Sequence, residues 1–558
     1  MLHLKFIPKS GLKGIFVFLF LLSNINSQAQ ETKGNNSKDF KYSVSSPYPE
    51  VDGYYKNYFC KGEFIIAFKQ ARKGLKIQIA IQKFSKTGMN LLSVKEYNNM
   101  PAGYWYEGFV QIGEKLYLIF NLWDKKNKKE LLLGREIDYE KGEFAGEDKL
   151  LLTIDGKIKI ENITESGKMS FSKFEIHNCL DSTKFMIQYI KKPESNNEEK
   201  NFDIVGFFVF DTNLNKIWGR EVIMPYSEMQ MDVLDYSLDS KGNVYVLSKV
   251  FKTNSNKEKD RDGNVNYHIE LFQIADSNPD LKVTPIELGE KLYINNIVMF
   301  ESKSDYMICV GYYNDGGELS YATGLFSFKV INGTEIFDKS MNDIPIDILT
   351  QFVSEKSKAE IEKIYADQND KKTVGLAYLQ VHVLVAESDG SFIITGEQNY
   401  KVETNTQKYS YSTYYCGNIL MAKIDSVGKL NWIQKLPKLQ SGPMPRGPMS
   451  FKYMRSGEFS YLVYMDNVEN LSLAINHPPE TFKATAQGYL TGYKINEKTG
   501  DVFKTGIFDT KGMNGLELFQ FDIDHIFSMN NSEFLVEFNK KNKQDVMIRV
   551  EISDADKN

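Results

Sequence analysis

Asp124, Glu397 and Asp466 stand in connecting segments of this chain and are the carboxylates best placed by type and setting to do chemistry. Two or more of them converging about 5 to 10 Å apart could act as acid and base on a glycoside, or together hold a cation. Their neighbours widen the set. Gln398 and Tyr400 follow Glu397, and Asn467 follows Asp466. Trp105 lies in Gly103-Tyr104-Trp105-Tyr106-Glu107, an aromatic cluster matched by Tyr409-Ser410-Tyr411-Ser412-Thr413-Tyr414-Tyr415. Exposed aromatic faces suit sugar rings or peptide side chains. The plainer account of the same residues is solvated loop acids and rings packed on a rim. Glu397, Gln398, Tyr400, Asp466, Asn467, Trp105 and Asp124 therefore form a candidate ligand-binding set, with no catalytic or metal-ligating residue and no cofactor assigned.

Other motifs reduce to structure. Asp260-Arg261-Asp262-Gly263-Asn264 resembles a calcium loop, but it lacks one oxygen ligand before the Gly, and Glu270 comes too early. Asp425-Ser426-Val427-Gly428 followed by Trp432 resembles both the Asp-box of sialidases and the tryptophan-docking repeats of quinoprotein propellers. Either way it is a turn with a packing aromatic. His177, His268, His382, His477 and His525 are scattered, without metal-site spacing. Cys60, Cys179, Cys309 and Cys416 lie in different repeats and read as buried thiols rather than a metal or redox motif. Lys and Arg number 68 against 73 Asp and Glu, with no basic stripe, which argues against a nucleic-acid partner.

The elements that must position these residues announce themselves by repetition. An apolar strand, a polar turn with Gly or Asn, and a second strand recur at 83–88, 136–142, 210–218, 329–333, 423–432 and 494–500. Weaker copies stand at 274–278 and 551–554. A repeated β-unit predicts an all-β fold, a β-propeller of eight four-stranded blades, with seven as the alternative. Within a repeat the strands are named a to d. The last repeat has no d strand after 546–552, and Phe40-Lys41-Tyr42-Ser43-Val44-Ser45 is expected to supply it and close the ring. Residues 345–368 lose alternation and take helical spacing, which predicts one helical insertion.

The a-to-b turns are all short. The long segments, 124–130, 191–201, 252–266, 399–414, 437–448 and 466–481, belong to b-to-c and d-to-a connections, which share one face of a propeller. That face is the expected working face. At the other end of the argument, Lys5, Lys9 and Lys13, an uncharged run at 15–22 and Ser27-Gln28-Ala29 make a secretory signal peptide, 1–29, cut after Ala29. The propeller domain then spans 30–558. No later run is long and apolar enough for membrane insertion by a helix.

The segments Asp389-Gly390-Ser391-Phe392-Ile393-Ile394-Thr395-Gly396-Glu397-Gln398-Asn399-Tyr400, 414–425 and 432–440 resemble a family of exported proteins of Bacteroidetes-type bacteria for which no activity is established. The resemblance is sharpest at Glu397, Gln398, Tyr400 and Lys438, and it implies a secreted or periplasmic location and a propeller-like fold. The combined expectation is an exported propeller that binds a protein or glycan of the cell envelope. Two other readings stay open: a polysaccharide-active hydrolase or lyase using Glu397, Asp466 and Asp124, and a structural subunit of an envelope complex docked by the helical insertion.

Overall fold

Val244–Phe251 and Met307–Asn314 are buried along their whole length, whereas Leu91–Tyr97 and Glu335–Asp343 are largely exposed. A strand buried on both sides belongs to a sheet covered on both faces. The computed structural model, which describes residues 39–553 apart from short internal stretches, the longest at 367–373, shows how this comes about. The expected signal peptide lies outside the described residues. The chain is all-β and is laid out as consecutive four-stranded antiparallel sheets. The first is Tyr55–Lys61, Phe64–Lys73, Lys76–Ser85 and Leu91–Tyr97, hydrogen-bonded in that order. The same order repeats over 105–155, 175–227, 231–286, 293–343, 379–436 and 452–509.

The eighth sheet is assembled from both ends of the chain. Ile526–Asn530, Glu533–Lys540 and Gln544–Ile552 supply three strands, and Phe40–Val44 pairs antiparallel with the last, Phe40 opposite Ile552 and Val44 opposite Ile548. Each apolar core lies between two sheets rather than within one. Ile66 and Phe68 of the first sheet pack with Leu118 and Phe120 of the second, and later cores join each sheet to the next. One more joins Leu535 and Met547 of the eighth to Ile65 and Ala67 of the first.

The recurring c-to-d hairpin turn has a second duty at these seams: it accepts a hydrogen bond from the preceding sheet. Lys149 Nζ donates to Asn213 O at 2.7 Å, Arg220 to Ala275 O at 2.8 Å and Thr284 Oγ1 to Gly333 O at 2.9 Å. Asn342 donates to Gly428 O at 3.0 Å and Trp432 Nε1 to Glu497 O at 3.0 Å. Lys83 reaches Glu140 O in the same way. The eighth sheet has no hairpin at that corner, because its fourth strand comes from the other end of the chain. There Asp39, just before that strand, receives Lys494 at 3.3 Å. Where an Asp heads the turn it holds the turn itself: Asp211 and Asp425 each accept two backbone N–H groups.

The helical spacing at 345–368 corresponds to two helices, Ile346–Leu349 and Glu355–Ala366. Ile348 and Leu349 are buried in the core shared by the fifth and sixth sheets, and Lys435 donates to Gln351 O at 2.8 Å beyond the first helix. All four cysteines are free thiols. Two of the segments read as long loops are corrected. Residues 124–130 form a tight turn, with Asp124 paired to Lys129. At 399–414 the strands Phe392–Asn405 and Ser410–Ile424 simply continue, because alternating Tyr, Val and Thr favour the pleat.

The seam between the eighth and first sheets carries a buried charge cluster. Lys69 Nζ lies 2.9 Å from Asp545 and 3.3 Å from Glu537; Lys56 lies 3.2 Å from Glu537; Tyr48 OH donates to Glu537 at 2.7 Å, and Tyr58 OH does too. Burial by itself raises the pKa of Glu537, but Lys69 and then Lys56 outweigh it and hold the carboxyl well below its ordinary 4.5. Burial holds His525, beside this cluster, below its ordinary 6.5, against the pull of Glu537 and Asp522. A depressed folded pKa lends stability that is complete above the unfolded value and is lost as pH falls. The melting temperature should therefore begin to fall below about pH 6.5 and fall more steeply below about pH 4.5, with His525→Gln removing the upper part. Glu537→Ala, which leaves two buried lysines, Lys56 and Lys69, to share Asp545, should cost about 3 to 5 kcal/mol in denaturant titration.

Candidate functional site

Glu397, expected in a connecting segment, lies within the b strand Phe392–Asn405, Asp466 ends the b strand Phe459–Asp466, and both are buried. A carboxylate there needs a partner. Glu397 Oε1 lies 2.8 Å from Lys438 Nζ, and Ser450 Oγ donates to Oε2 at 2.8 Å. Burial raises the Glu397 pKa, but Lys438, with His382, more than offsets it and keeps the carboxyl below its ordinary range. Lys438 also donates to Cys416 O and Gln440 Oε1, both at 3.0 Å, and Gln440 donates to Met465 O at 2.8 Å. This chain of bonds ties the sixth sheet to the seventh. Asp466 pairs with Lys504 at 2.8 Å and accepts Asn470 Nδ2 at 2.7 Å.

The rest of the sequence-derived set is also engaged in the fold. Gln398 donates to Ala377 O at 2.9 Å. The Tyr400 ring stacks between Tyr378 and Tyr415 at 5.8 and 4.8 Å. Asn467 caps the short 3-10 helix Val468–Leu471, accepting Glu469 N. Asp124 is exposed and caps its own turn through Lys126 N and Asn127 N. The Lys173 ammonium lies 5.7 Å over the Trp105 ring in the second sheet. Glu397, Gln398 and Tyr400 thus share one strand and are linked to the Asp466 strand through Gln440, whereas Trp105 and Asp124 belong to a different sheet. Each of the three acids has its own partner within the fold.

A different set of acids lines a cavity of about 1180 Å³ between the third and fourth sheets. Glu175 and His177 come from the inner strand of the third sheet, Glu198 and Asp203 from its b-to-c connection and the strand that follows. Glu228 lies in the d-to-a connection, and Asp232 and Asp235 on the inner strand of the fourth sheet. The cavity therefore opens among b-to-c and d-to-a connections. Lys159 is the one lysine in this lining, 3.6 Å from Glu228, so carboxylates predominate.

Burial raises the pKa of three of these acids, Asp203, Asp232 and Asp235. Burial pushes Asp203 up to about 6, with Glu228 in hydrogen-bonding reach adding to the rise and Lys159 opposing it. Burial likewise takes Asp235 up to about 6, although Met299 N and Tyr236 N donate to it at 2.6 and 2.9 Å. Asp235 follows a β-bulge between Val233 and Asp235, and bulges of this kind re-aim a side chain. It latches the inner strand of the fifth sheet as well as lining the cavity. Inner-strand bulges recur beside Glu107, Asn295 and His382. Glu107 in the same manner accepts from Ser172 Oγ, Lys173 N and Phe174 N, just before the inner strand of the third sheet.

The sequence reading missed this site because Asp203, Glu228, Asp232 and Asp235 are spread over 33 positions and two repeats. The available signal was the Asp inside the otherwise strand-like Val233-Leu234-Asp235-Tyr236. A second cavity of about 520 Å³ opens on the same face, between the seventh and eighth sheets.

No protein-family model matches the chain, and no curated protein matches it. Among solved structures it is similar to a prolyl endopeptidase at TM-score 0.38 and 11% identity, over 90% of this chain and 56% of that one. It is similar to the β-propeller domain of the Trilobed protease from Pyrococcus furiosus at 0.34 and 12%, over 83% and 98%. A third likeness is to the NanB sialidase from Streptococcus pneumoniae, at 0.32 and 9%, over 92% and 95%. The chain thus spans little more than half the length of the prolyl endopeptidase. TM-scores this far below 0.5 decide neither fold nor activity.

A carboxyl whose pKa is raised by folding costs the folded state stability that starts to be lost as pH rises through the unfolded value and is fully lost above the raised one. Asp203→Asn should therefore raise the melting temperature at about pH 7.5, with the gain shrinking as pH falls and vanishing below about pH 3, where the wild-type carboxyl is protonated in both the folded and the unfolded state. Lys438→Met should do the opposite, losing about 3 to 5 kcal/mol by leaving Glu397 buried and unpaired.

Proposed function

We propose that this protein is an exported eight-bladed β-propeller, closed by its N-terminal strand, that binds an envelope partner through the face formed by its b-to-c and d-to-a connections. The cyclic order of shared cores supports the ring and the blade count, since the eighth sheet packs on the first as every other sheet packs on the next. The observation that carries the binding role is the acidic cavity on that face. Its carboxylates attract positive charge, and their partly desolvated setting strengthens the attraction relative to bulk water. Of the two partner classes, a protein presenting a basic segment fits better than a neutral glycan.

The polysaccharide-active reading keeps one specific support, because a carboxyl raised to about 6, as Asp203 is, suits a general acid. Its hydrogen-bonding reach to Glu228 is closer than the roughly 5 Å at which paired glycosidase carboxylates act. The docked-subunit reading needs an exposed apolar stripe on the inserted helix, and Ile361 and Ile364 are half-buried there.

The decisive experiment is capture on arrays of basic peptides, acidic peptides and neutral glycans, using the wild type and the triple variant Asp203→Asn, Glu228→Gln, Asp232→Asn. Basic peptides should be retained by the wild type and lost by about tenfold or more in the variant, with capture weakened by salt. Basic-peptide capture that the variant retains in full, or capture of glycans alone, would overturn the proposal.

A further inference from the structure

The second cavity differs from the first in character. Its floor is apolar: Phe521 and Phe538 stack at 4.9 Å, with Phe482 and Leu518 beside them. Its polar groups are balanced in sign. Arg446, held by Asp524 at 2.7 Å, and Lys56 stand against Glu50 and Asp522. His525 also lines it, and its Nδ1 is buried with no hydrogen-bond partner among the described residues. No net charge selects an ion here. A donor such as Arg446 and an acceptor such as Asp522 around an aromatic floor match a group that is itself neutral, carries one donor and one acceptor, and ends in an apolar body.

We propose that this cavity receives an aromatic or large aliphatic side chain of a peptide, its backbone amide held between the Arg446 and His525 side and the Glu50 and Asp522 side. A volume of about 520 Å³ accommodates one such residue with its flanking amides. The site is assembled from three distant parts of the chain. Glu50 and Lys56 come from the start, Asp522, His525 and Phe538 from the end, and Arg446 from the connection between the sixth and seventh sheets. It shares no lining residue with the acidic cavity and stands whether or not that cavity binds cations.

The test is saturation-transfer NMR with N-acetyl-phenylalaninamide, N-acetyl-leucinamide and N-acetyl-glycinamide. Wild-type protein should transfer magnetisation to the phenylalanine and leucine amides and not to the glycine amide. Ala486 is exposed on the cavity lining, so Ala486→Phe fills the space without entering the core and should weaken binding by about tenfold or more. Met444, 64% exposed at the rim, provides an independent variant: Met444→Glu should weaken binding in the same direction. Asp203→Asn with Glu228→Gln should leave it unchanged. Equal transfer to the glycine amide, absence of transfer to any amide, or binding that survives both cavity variants would overturn the proposal.

Discussion

A four-stranded sheet in this protein has two apolar faces and no means of covering either by itself. That constraint governs the architecture. Strands such as Val244–Phe251 are buried on both sides only because the sheets before and after them supply the cover. Each core therefore belongs to a pair of sheets, and the stability of any one sheet depends on its neighbours, as in other repeat proteins. The hydrogen bonds onto the c-to-d turns follow the same logic. A turn carbonyl near a seam loses water, so a Lys, Thr, Asn or Trp from the preceding sheet takes its place.

Where strands run out toward the b-to-c face, the seams become polar, and the chain handles burial differently. Lys69 with Asp545 and Glu537, Lys438 with Glu397, Lys504 with Asp466 and Lys173 with Glu130 are paired acids and bases at or near that end. Each pair neutralises charge that desolvation would otherwise penalise. Two places depart from this: burial pushes Glu107 up to about 8 at the seam of the second and third sheets, and in the cavity between the third and fourth sheets the acids outnumber the cations beside them and Asp203, Asp232 and Asp235 are all raised. Folding that leaves charge uncompensated gives up stability, which is the usual mark of a place kept for binding or chemistry.

The two parts of the molecule were unequally legible. Turn chemistry is local, so Asp211 and Asp425 with their following Asn or Gly announce the hairpins, and the missing last strand points to Phe40–Val44. The helical spacing at 345–368 is local too. The candidate site was not legible in the same way. Glu397 and Asp466 look like free loop acids in the sequence, and only their distant lysines show that they are bound within the fold. The run 399–414 shows the converse error, because its polar residues suggest a loop while its alternation continues the strands.

By itself the amino-acid sequence determined the strands, their hairpins and the repeated sheet, because each depends on backbone propensity and neighbours a few residues away, while Phe40–Val44 was marked as the completing strand only by the strand missing from the last repeat. Tertiary structure alone decided which charges were matched. Lys438 meets Glu397 across 41 positions and Lys69 meets Asp545 across 476. Those encounters are set by how one sheet seats on the next, and the balance of burial against pairing at each of them decides whether an acid becomes part of the scaffold or is left facing a cavity.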